Sequence, residues 1–186
     1  MKHDKLRWNA RYVENNEAYP APDIFLTNNS YLLSGGRALD LACGLGANSI
    51  YLAQNGFWVD SIDISESAIR RLQGRSRSLG LNLGLVVGDT DYFPLPENFY
   101  DLIVVFYFFS GPLIPIIAKA IKPGGLVVYC TFNYLHKSSK PDFNERYLVP
   151  RGGLAPLFPN MEIIVDEPET GLDSNLSRLI ARRPLP

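Results

Sequence analysis

The chain has 186 residues, of which 46% are hydrophobic and 20% charged, and its formal net charge is −1. These values are typical of a globular protein with a sizeable core, and no basic stripe that would favour nucleic acid as a partner is visible. The two cysteines, Cys43 and Cys130, lie in apolar runs, which predicts buried free thiols of a reducing compartment. The polar start MKHDKLRWNARY has no apolar leader, so we expect a cytoplasmic protein.

Secondary structure is predicted along the whole chain, beginning with two short helices separated by Pro20 and Pro22. The predicted helices cover residues 3–14, 21–33, 47–55, 65–79 and 112–121, and the predicted strands cover residues 37–43, 57–63, 82–88, 100–107, 125–132, 161–165 and 176–181. Alternation of strands and helices predicts βαβ units. The expected fold is α/β, a three-layer, doubly wound, mostly parallel seven-stranded sheet with an antiparallel terminal strand.

Residues 102–118 form an uncharged stretch that needs a separate interpretation. The stretch is short for a membrane span, and Gly111, Pro112 and Pro115 interrupt it. A strand that is apolar along its whole length is what a parallel sheet covered on both faces requires. We therefore interpret the stretch as a buried strand, a turn and the start of an apolar helix, and we expect no membrane partner.

The segment RALDLACGLGANSIYLAQNGFWVDSID, residues 37–63, predicts a strand, a glycine turn, a helix and a second strand. Gly44 and Gly46 allow unusual backbone angles and let a ligand approach the main chain closely. Asp63 ends the second strand, nineteen residues after Gly44. Because a carboxylate in that place can accept hydrogen bonds from both hydroxyls of a ribose, the segment predicts a ligand that contains a nucleoside.

Two residues favour S-adenosylmethionine over a nicotinamide dinucleotide as that ligand. Ser49, and not Gly or Ala, occupies the third position of G-x-G-x-x-G. A dinucleotide fold needs one of those small residues there so that the helix packs closely under the pyrophosphate. Asp40 lies just before the turn. Its carboxylate disfavours a pyrophosphate and favours a ligand with ammonium or sulfonium groups. A nicotinamide-linked oxidoreductase remains the alternative interpretation of this segment.

Four motifs, DLACGLG, IDIS, VVGD and IKPGG, resemble in order the motif series of the Rossmann-type (class I) S-adenosylmethionine-dependent methyltransferases. The chain is most similar to the tellurite-resistance and thiopurine methyltransferase-like branch, through the stretches WNARY, PLIPIIAKAIKPGGLVVYCTF and NERYLVPRGGLAPLF. The resemblance implies a single methyltransferase domain over residues 1–186. Its parts would be an N-terminal helical lid at 1–33, a cofactor-binding core at 34–132, and a substrate loop with terminal strands at 133–186.

The resemblance also implies a set of cofactor-binding residues. The two glycines would approach the methionine part, Asp40 would support the turn and the cofactor ammonium, Asp63 would hold the ribose, and Asp89 would accept from the adenine amino group. Trp8 and Arg11 would belong to a lid, with Arg11 paired to the cofactor carboxylate. The implied set comprises Trp8, Arg11, Asp40, Ala42, Gly44, Gly46, Asn48, Asp63, Ile64, Asp89, Thr90 and Phe106.

Structural alternatives to these roles stay open. The glycines can form only a tight turn, Asp63 can cap the following helix, and Asp89 can be a solvated turn residue. Trp8 and Phe106 can serve packing alone, and Arg11 can be a surface charge.

The chemistry of methyl transfer sets what else the chain must provide. A sulfonium is already activated, so the enzyme mainly aligns the reactants and excludes water. A general base is needed only if the nucleophile must lose a proton. The end of the fourth predicted strand, VVFYFFSG, has no acid, histidine or lysine, and the fifth is followed only by His136 and Lys137. We interpret His136 as a solvated loop residue, and its use as a base for an oxygen or nitrogen acceptor remains an alternative.

The missing base favours a small acceptor with a soft nucleophile, such as a thiol, selenium or tellurium compound. The predicted acceptor pocket is aromatic and comprises Tyr12, Tyr107, Phe108, Phe109 and Tyr134. Members of the branch often have a polar pair such as His-Arg after strand four, where this chain has Phe109-Ser110. If that pair handles the acceptor, this chain has a different acceptor or a weak activity. A non-catalytic cofactor-binding protein is a further alternative. No metal-ligand spacing is present, and we expect a monomer or a homodimer.

Overall fold

The computed structural model describes residues 2–14, 19–168 and 175–186. The strands are β1 Gly36–Leu41, β2 Phe57–Asp63, β3 Gly84–Val87, β4 Tyr100–Phe106, β5 Ile121–Phe132, β6 Glu162–Glu167 and β7 Leu176–Arg182. The α-helices are α1 Lys2–Glu14, α2 Ile24–Asn28, α3 Ala47–Gln54, α4 Glu66–Ser78 and α5 Ile114–Ala120. The strands form a mixed seven-stranded sheet in the order β3-β2-β1-β4-β5-β7-β6, flanked by helices. The predicted fold class is confirmed, including the antiparallel pairing of the terminal strand.

The chain divides into two compact units, Met1–Pro94 and Leu95–Pro186. In the first unit β1, β2 and β3 pair in parallel, and α3 packs against β1 and β2 while α4 packs against β2 and β3. Its buried core includes Leu26, Leu39, Leu41, Leu52, Ile62 and Leu72. The parallel register brings the carboxyl ends of β1, β2 and β3 to one edge. Most of the predicted cofactor residues lie at these three ends or shortly after them.

In the second unit β4 and β5 pair in parallel, β5 and β7 are antiparallel, and β6 and β7 are antiparallel. Helix α5 packs against β5. Strand β4 is apolar and buried from residue 102 to 106, which is the pattern predicted for a strand covered on both faces. The core of this unit includes Ile103, Val104, Ile117, Tyr129 and Leu179.

The helix predicted at 21–33 is shorter and interrupted. Asp23 caps α2, since its side chain accepts a hydrogen bond from the Phe25 N–H at 2.8 Å. The helix ends at Asn29, whose side chain donates to the Phe25 carbonyl at 2.8 Å and so replaces a backbone bond of the next turn. A short 3₁₀ helix, Ser30–Leu32, follows.

Three predicted boundaries in the second unit also differ. The helix predicted at 112–121 is a 3₁₀ turn at Gly111–Leu113 followed by α5. Strand β5 begins four residues before the predicted start. Its pairing with β4 is irregular in this stretch, where the Gly124 N–H bonds to the Arg183 carbonyl. The loop predicted at 133–150 contains two 3₁₀ turns, and the Val149 N–H ties it back to the Phe132 carbonyl at 2.9 Å.

The hairpin connection predicted at 166–175 lies mostly outside the described residues. The division of the chain at residues 33 and 132 stays a prediction. Among the residues that the structure describes, none of the helices has the length and apolarity needed to cross a membrane.

Candidate cofactor site

The turn after β1 has an unusual backbone. Ala42, Gly44 and Gly46 all have positive φ, at 56°, 54° and 72°. An alanine in the left-handed region costs about 1–2 kcal/mol, and such strain concentrates at functional sites. The Cys43 N–H bonds to the Ile62 carbonyl at 3.0 Å, which ties the turn to the end of β2. The hydrogen bond to β2 therefore helps to hold the turn in a backbone conformation that is strained at Ala42.

The two glycines of the turn are needed for different reasons. A Cβ at Gly44 would lie 2.7 Å from the Tyr12 hydroxyl oxygen. A Cβ at Gly46 would overlap the side chain of Leu72, which belongs to α4 and is fully buried. Gly46 is thus required by the packing of α4, and Gly44 by the approach of α1. Their predicted approach to a cofactor remains a prediction.

Asp63, the last residue of β2, holds the turn from the other side. Its Oδ2 accepts a hydrogen bond from Gly44 N–H and its Oδ1 accepts one from Ser65 N–H, both at 2.8 Å. Burial raises the pKa of this carboxyl, and these two hydrogen bonds oppose the rise. Each carboxylate oxygen keeps a second lone pair, so the geometry leaves Asp63 able to accept further hydrogen bonds. The alternative in which Asp63 caps the following helix is partly right, because Asp63 accepts from the N–H of Ser65, the residue before α4.

Asp40 is buried within β1 and is only 2% exposed. Its Oδ2 accepts a hydrogen bond from the Ser49 hydroxyl at 2.5 Å, and Ser49 in turn accepts one from the Ser61 hydroxyl at 2.9 Å. Burial raises the pKa of Asp40 to about 7, against the hydrogen bonds from Ser49. A carboxylate with such a pKa gains from a nearby positive charge, which stabilises its ionised form.

Helix α1 lies over the turn in the first unit. The Tyr12 ring stacks on Trp8 with centroids 5.9 Å apart, and its hydroxyl lies over Gly44. Burial raises the pKa of Tyr12 well above its usual value, and the charge of Asp63 adds to this. The structure brings Tyr12 beside Gly44, one of the predicted cofactor residues, and its place in the acceptor pocket stays a prediction. Arg11 is exposed, with its guanidinium 5.1 Å from the centre of the Trp8 ring.

Asn9 anchors α1, a role that was not predicted for it within the WNARY stretch. The Asn9 Oδ1 accepts hydrogen bonds from the Ser65 hydroxyl at 2.9 Å and from the Ser67 N–H at 3.2 Å. The Arg71 guanidinium also donates to the Tyr12 carbonyl at 3.3 Å. These bonds join α1 to the first turns of α4, directly beside Asp63. An Asn in a polar helical sequence resembles many solvated residues, which is why the pattern did not reveal it.

The remaining predicted residues of the first unit have mixed surroundings. The Gly88 N–H bonds to the Asp63 carbonyl at 2.9 Å, so Asp89 follows directly beside the end of β2. Asp89 also forms a turn, since its side chain accepts from the Asp91 N–H at 3.2 Å. The Asn48 Oδ1 accepts from the Asp23 N–H at 2.9 Å and thereby holds the segment before α2. Ile64 is half-buried and Thr90 is buried.

The predicted residues of the second unit lie at the carboxyl end of β4 and after β5. Tyr107 directly follows β4, has a φ of 56° and is 53% exposed, while Phe109 is buried. The Tyr107 ring lies 6.5 Å from Phe106 and 5.7 Å from Phe132, between ring centroids. Tyr134 is covered by the Arg151 guanidinium, 4.1 Å from its ring centre.

His136 is not a solvated loop residue; that prediction is wrong. Its side chain is 4% exposed, stacks on Phe132 at 4.0 Å and meets Phe143 edge-on at 4.9 Å. The Asn175 amide lies 3.1 Å from its Nδ1, and its Nε2 is buried without a hydrogen-bond partner among the described residues. Burial lowers the pKa of His136, and the charge of Lys140 lowers it further.

Cys43 and Cys130 are free thiols, as predicted. Cys130 is buried within β5, whereas Cys43 is half-buried in the turn, because β1 ends before it. Within the described residues, no group of three or more His, Cys, Asp and Glu side chains is arranged to hold a metal ion.

Comparisons with known proteins agree with this geometry. Residues 38–125 match the family model described as a methyltransferase domain. The chain is 36% identical over 94 residues to the probable S-adenosyl-L-methionine-dependent methyltransferase TehB of Haemophilus influenzae, covering 49% of this chain and 32% of that protein. It is 30% identical over 110 residues to a demethylmenaquinone methyltransferase of Clavibacter sepedonicus, covering 54% and 43%. The chain thus spans less than half the length of these relatives.

Solved structures share the fold at low sequence identity. TehB of Haemophilus influenzae superposes with a TM-score of 0.74 at 19% identity, covering 95% of this chain and 67% of that one. A methyltransferase of Methanosarcina mazei superposes with a TM-score of 0.70 at 21% identity, covering 90% of this chain and 100% of that one. Residues 38–125 thus match a methyltransferase domain, and the chain shares the fold of class I, Rossmann-type S-adenosylmethionine-dependent methyltransferases, with sequence similarity to TehB.

Proposed function

We propose that the chain binds S-adenosylmethionine in its first unit and transfers the methyl group, in line, to a small acceptor with a soft nucleophile. A thiol, selenium or tellurium compound is the acceptor class that we favour. S-adenosylhomocysteine is the product in each case. The observation that carries the acceptor class is the state of His136, the imidazole that follows β5.

His136 is built as a neutral hydrogen-bond donor rather than as a base. The Asn175 Nδ2 lies 3.1 Å from its Nδ1, and it donates to that nitrogen in the tautomer that carries the ring proton on Nε2. The proton of the neutral ring is then on Nε2, which has no lone pair to offer. Its pKa is lowered, so the ring is neutral near pH 7. Soft nucleophiles, which are ionised or need no deprotonation, suit a site of this kind.

The proposed cofactor contacts follow from the first unit. Asp63 accepts from the ribose hydroxyls with its free lone pairs, and Asp89, two residues beyond the end of the neighbouring strand β3, accepts from the adenine amino group. Gly44 lets the methionine part approach the backbone, and Asp40 supports its ammonium. Helix α1 covers this part of the site, with Trp8 and Tyr12 as an aromatic wall. Arg11 is free to turn from the Trp8 ring to the cofactor carboxylate.

In the second unit, aromatic side chains support the binding of a compact apolar acceptor. Tyr107 is exposed at the end of β4 in a strained left-handed conformation, next to Phe132. Phe109 is buried nearby in sequence, and Tyr134 begins the turn after β5. No acid, histidine or lysine is present among residues 107–110. This composition excludes water and stabilises polarizable atoms, which agrees with a sulfur, selenium or tellurium nucleophile.

An acceptor panel tests this function. We expect S-adenosylhomocysteine release with thiols, thiopurines, selenite or tellurite, and His136→Gln should keep that activity within about tenfold, because loss of a general base typically costs 10²–10⁴-fold. Product release is measured by mass spectrometry beside the unfolding midpoint of each protein. Turnover confined to oxygen or nitrogen acceptors and abolished in His136→Gln would overturn the proposal. Cofactor binding without turnover on any acceptor would favour the non-catalytic alternative.

A flat ring acceptor is a second candidate. The relative in Clavibacter sepedonicus is named a demethylmenaquinone methyltransferase, and this chain has ring stacking next to the exposed Tyr107. Phe132 and His136 extend the row of rings within the second unit. Adding ring acceptors such as a naphthoquinol to the panel separates the two candidates. Faster turnover of the quinol than of every thiol would select this one.

The lid role of α1 predicts a kinetic effect for Asn9→Ala. The substitution removes two hydrogen bonds that join α1 to α4, which together contribute roughly 1 kcal/mol. S-adenosylmethionine should then dissociate about fivefold faster, since a less firmly docked lid opens more often. Stopped-flow fluorescence of Trp8 measures this rate. Leu6→Ala, an exposed position on the same helix, is the matched control and should leave the rate unchanged. Equal rates for Asn9→Ala and wild type would refute the lid.

A further inference from the structure

A line of buried hydroxyl groups ends on Asp40. The Ser61 hydroxyl donates to the Ser49 hydroxyl at 2.9 Å, and Ser49 donates to Asp40 Oδ2 at 2.5 Å. Both serines are fully buried, and Asp40 is 2% exposed. Each donor has a defined acceptor, so the line fixes one orientation of the carboxylate. Buried hydrogen bonds of this kind polarise one another and strengthen the bond to the charged end.

Ser49 and Ser61 are placed for this contact by the fold of the first unit. Ser49 lies in the first turn of α3, where backbone N–H groups lack partners within the helix. Its own N–H also hydrogen-bonds to Asp40. Ser61 lies on β2 directly opposite Asp40 in the parallel register. The carboxylate on β1 is therefore held by one residue of the following helix, which is supported by one residue of the neighbouring strand.

We propose that Ser49, supported by Ser61, is a positioning residue that holds the Asp40 carboxylate for the cationic methionine end of S-adenosylmethionine. The inference rests on the proposed cofactor role of Asp40. Ser49 acts through Asp40 and not on the cofactor itself. Ser49, which argues against a dinucleotide as the ligand, thus has a positioning role in this chain.

The ionisation of Asp40 gives this role a measurable signature. Its pKa is raised to about 7 by burial, with Asp63 of β2 adding to the rise and Ser49 opposing it. The other titratable group facing it is the Cys43 thiol, whose pKa burial and the two carboxylates raise. A cationic ligand prefers the ionised carboxylate, so affinity rises as the pH passes the pKa of Asp40. Without the Ser49 hydroxyl this rise moves to higher pH, because a bond that stabilises the charge is lost.

Calorimetric titration of Ser49→Ala with S-adenosylmethionine at pH 6 and pH 9 tests the proposal. The measured quantity is the dissociation constant of the variant divided by that of the wild type, which cancels the titration of the ligand's own amino group. We expect this ratio to be about 5 at pH 6 and to fall towards 1 at pH 9, because the variant lacks one hydrogen bond to the charged carboxylate. Ser76→Ala removes another buried hydroxyl of this unit and should give about one at both values.

A ratio that is the same at both pH values would mean that Ser49 only fills space, and it would overturn the proposal. Asp40→Asn is expected to remove the rise of affinity between these pH values, and a rise that persists also overturns it. If Ser49→Ala does not fold, Ser61→Ala should give the same trend with a smaller ratio. Wild-type protein that binds no S-adenosylmethionine at any pH would instead refute the proposed function, so the two failures are distinct.

Discussion

Asp63→Ala is expected to weaken the binding of S-adenosylmethionine and S-adenosylhomocysteine at least about tenfold, which is about 1.4 kcal/mol. The variant loses the proposed ribose acceptor. It also releases the Gly44 N–H, which Asp63 binds at 2.8 Å, so the turn after β1 loses its link to β2. Both ligands contain the same ribose, and the loss should therefore be equal for the two. Isothermal titration calorimetry measures it directly.

The same substitution has a structural effect that must be separated from binding. Two backbone N–H groups, of Gly44 and Ser65, lose their acceptor inside the protein. An unpaired buried donor costs about 1–3 kcal/mol, so we expect a fall of about 2 kcal/mol in the free energy of unfolding. Chemical denaturation at pH 7 gives this value. The titration is carried out far below the unfolding midpoint, where the variant is still folded.

Asp60→Ala is the matched control for Asp63. Asp60 lies on the same strand, but it pairs with Arg37 at 2.9 Å through an ion pair that is partly open to solvent. Such surface pairs contribute about 1 kcal/mol or less. Asp60 lies three residues before the end of β2, where Asp63 binds the glycine turn. We expect unchanged cofactor affinity for this variant. Equal affinities of Asp63→Ala and Asp60→Ala would remove Asp63 from the cofactor site.

The arrangement around the turn after β1 was largely predictable because its residues are local in sequence. A glycine turn between a strand and a helix fixes Gly44 and Gly46, and a parallel β2 places Asp63 at the edge where the turn lies. Asp40 was identified from its charge beside the turn. Ser49 was noticed only as a departure from a dinucleotide pattern, since its partners Ser61 and Asp40 come together through strand register, which hydrophobic patterning does not report.

The contacts of side chains that pack across long sequence separations could not be predicted from the sequence. Tyr12 lies over Gly44, thirty-two positions later in the sequence, because α1 docks on α4. His136 follows a strand within a polar segment, which indicates solvent exposure. Its burial depends on Phe132 and Phe143, and on Asn175 beyond β6. Neither arrangement follows from local periodicity, since both are set by tertiary contacts that compete with it.

The second large effect is expected for stability, from Gly46→Ala. Gly46 has a φ of 72°, which an alanine adopts at a cost of about 1–2 kcal/mol. The new methyl would also overlap Leu72, which is fully buried and cannot turn into solvent. Forcing a methyl into a packed core costs about 1–3 kcal/mol more. We expect the free energy of unfolding to fall by about 2–5 kcal/mol in total, measured by urea denaturation.

Gly80→Ala isolates the two contributions to that loss. Gly80 has a nearly equal φ of 67°, but a Cβ there meets no atom within 4 Å. This control therefore has the backbone cost alone, about 1 kcal/mol, and the difference between the variants measures the overlap with Leu72. Leu72→Ala provides the coupling, because it should cost less in the Gly46→Ala background than in the wild type. Equal losses for Gly46→Ala and Gly80→Ala, with no coupling, would mean that α4 moves away freely, and that Gly46 serves only the turn.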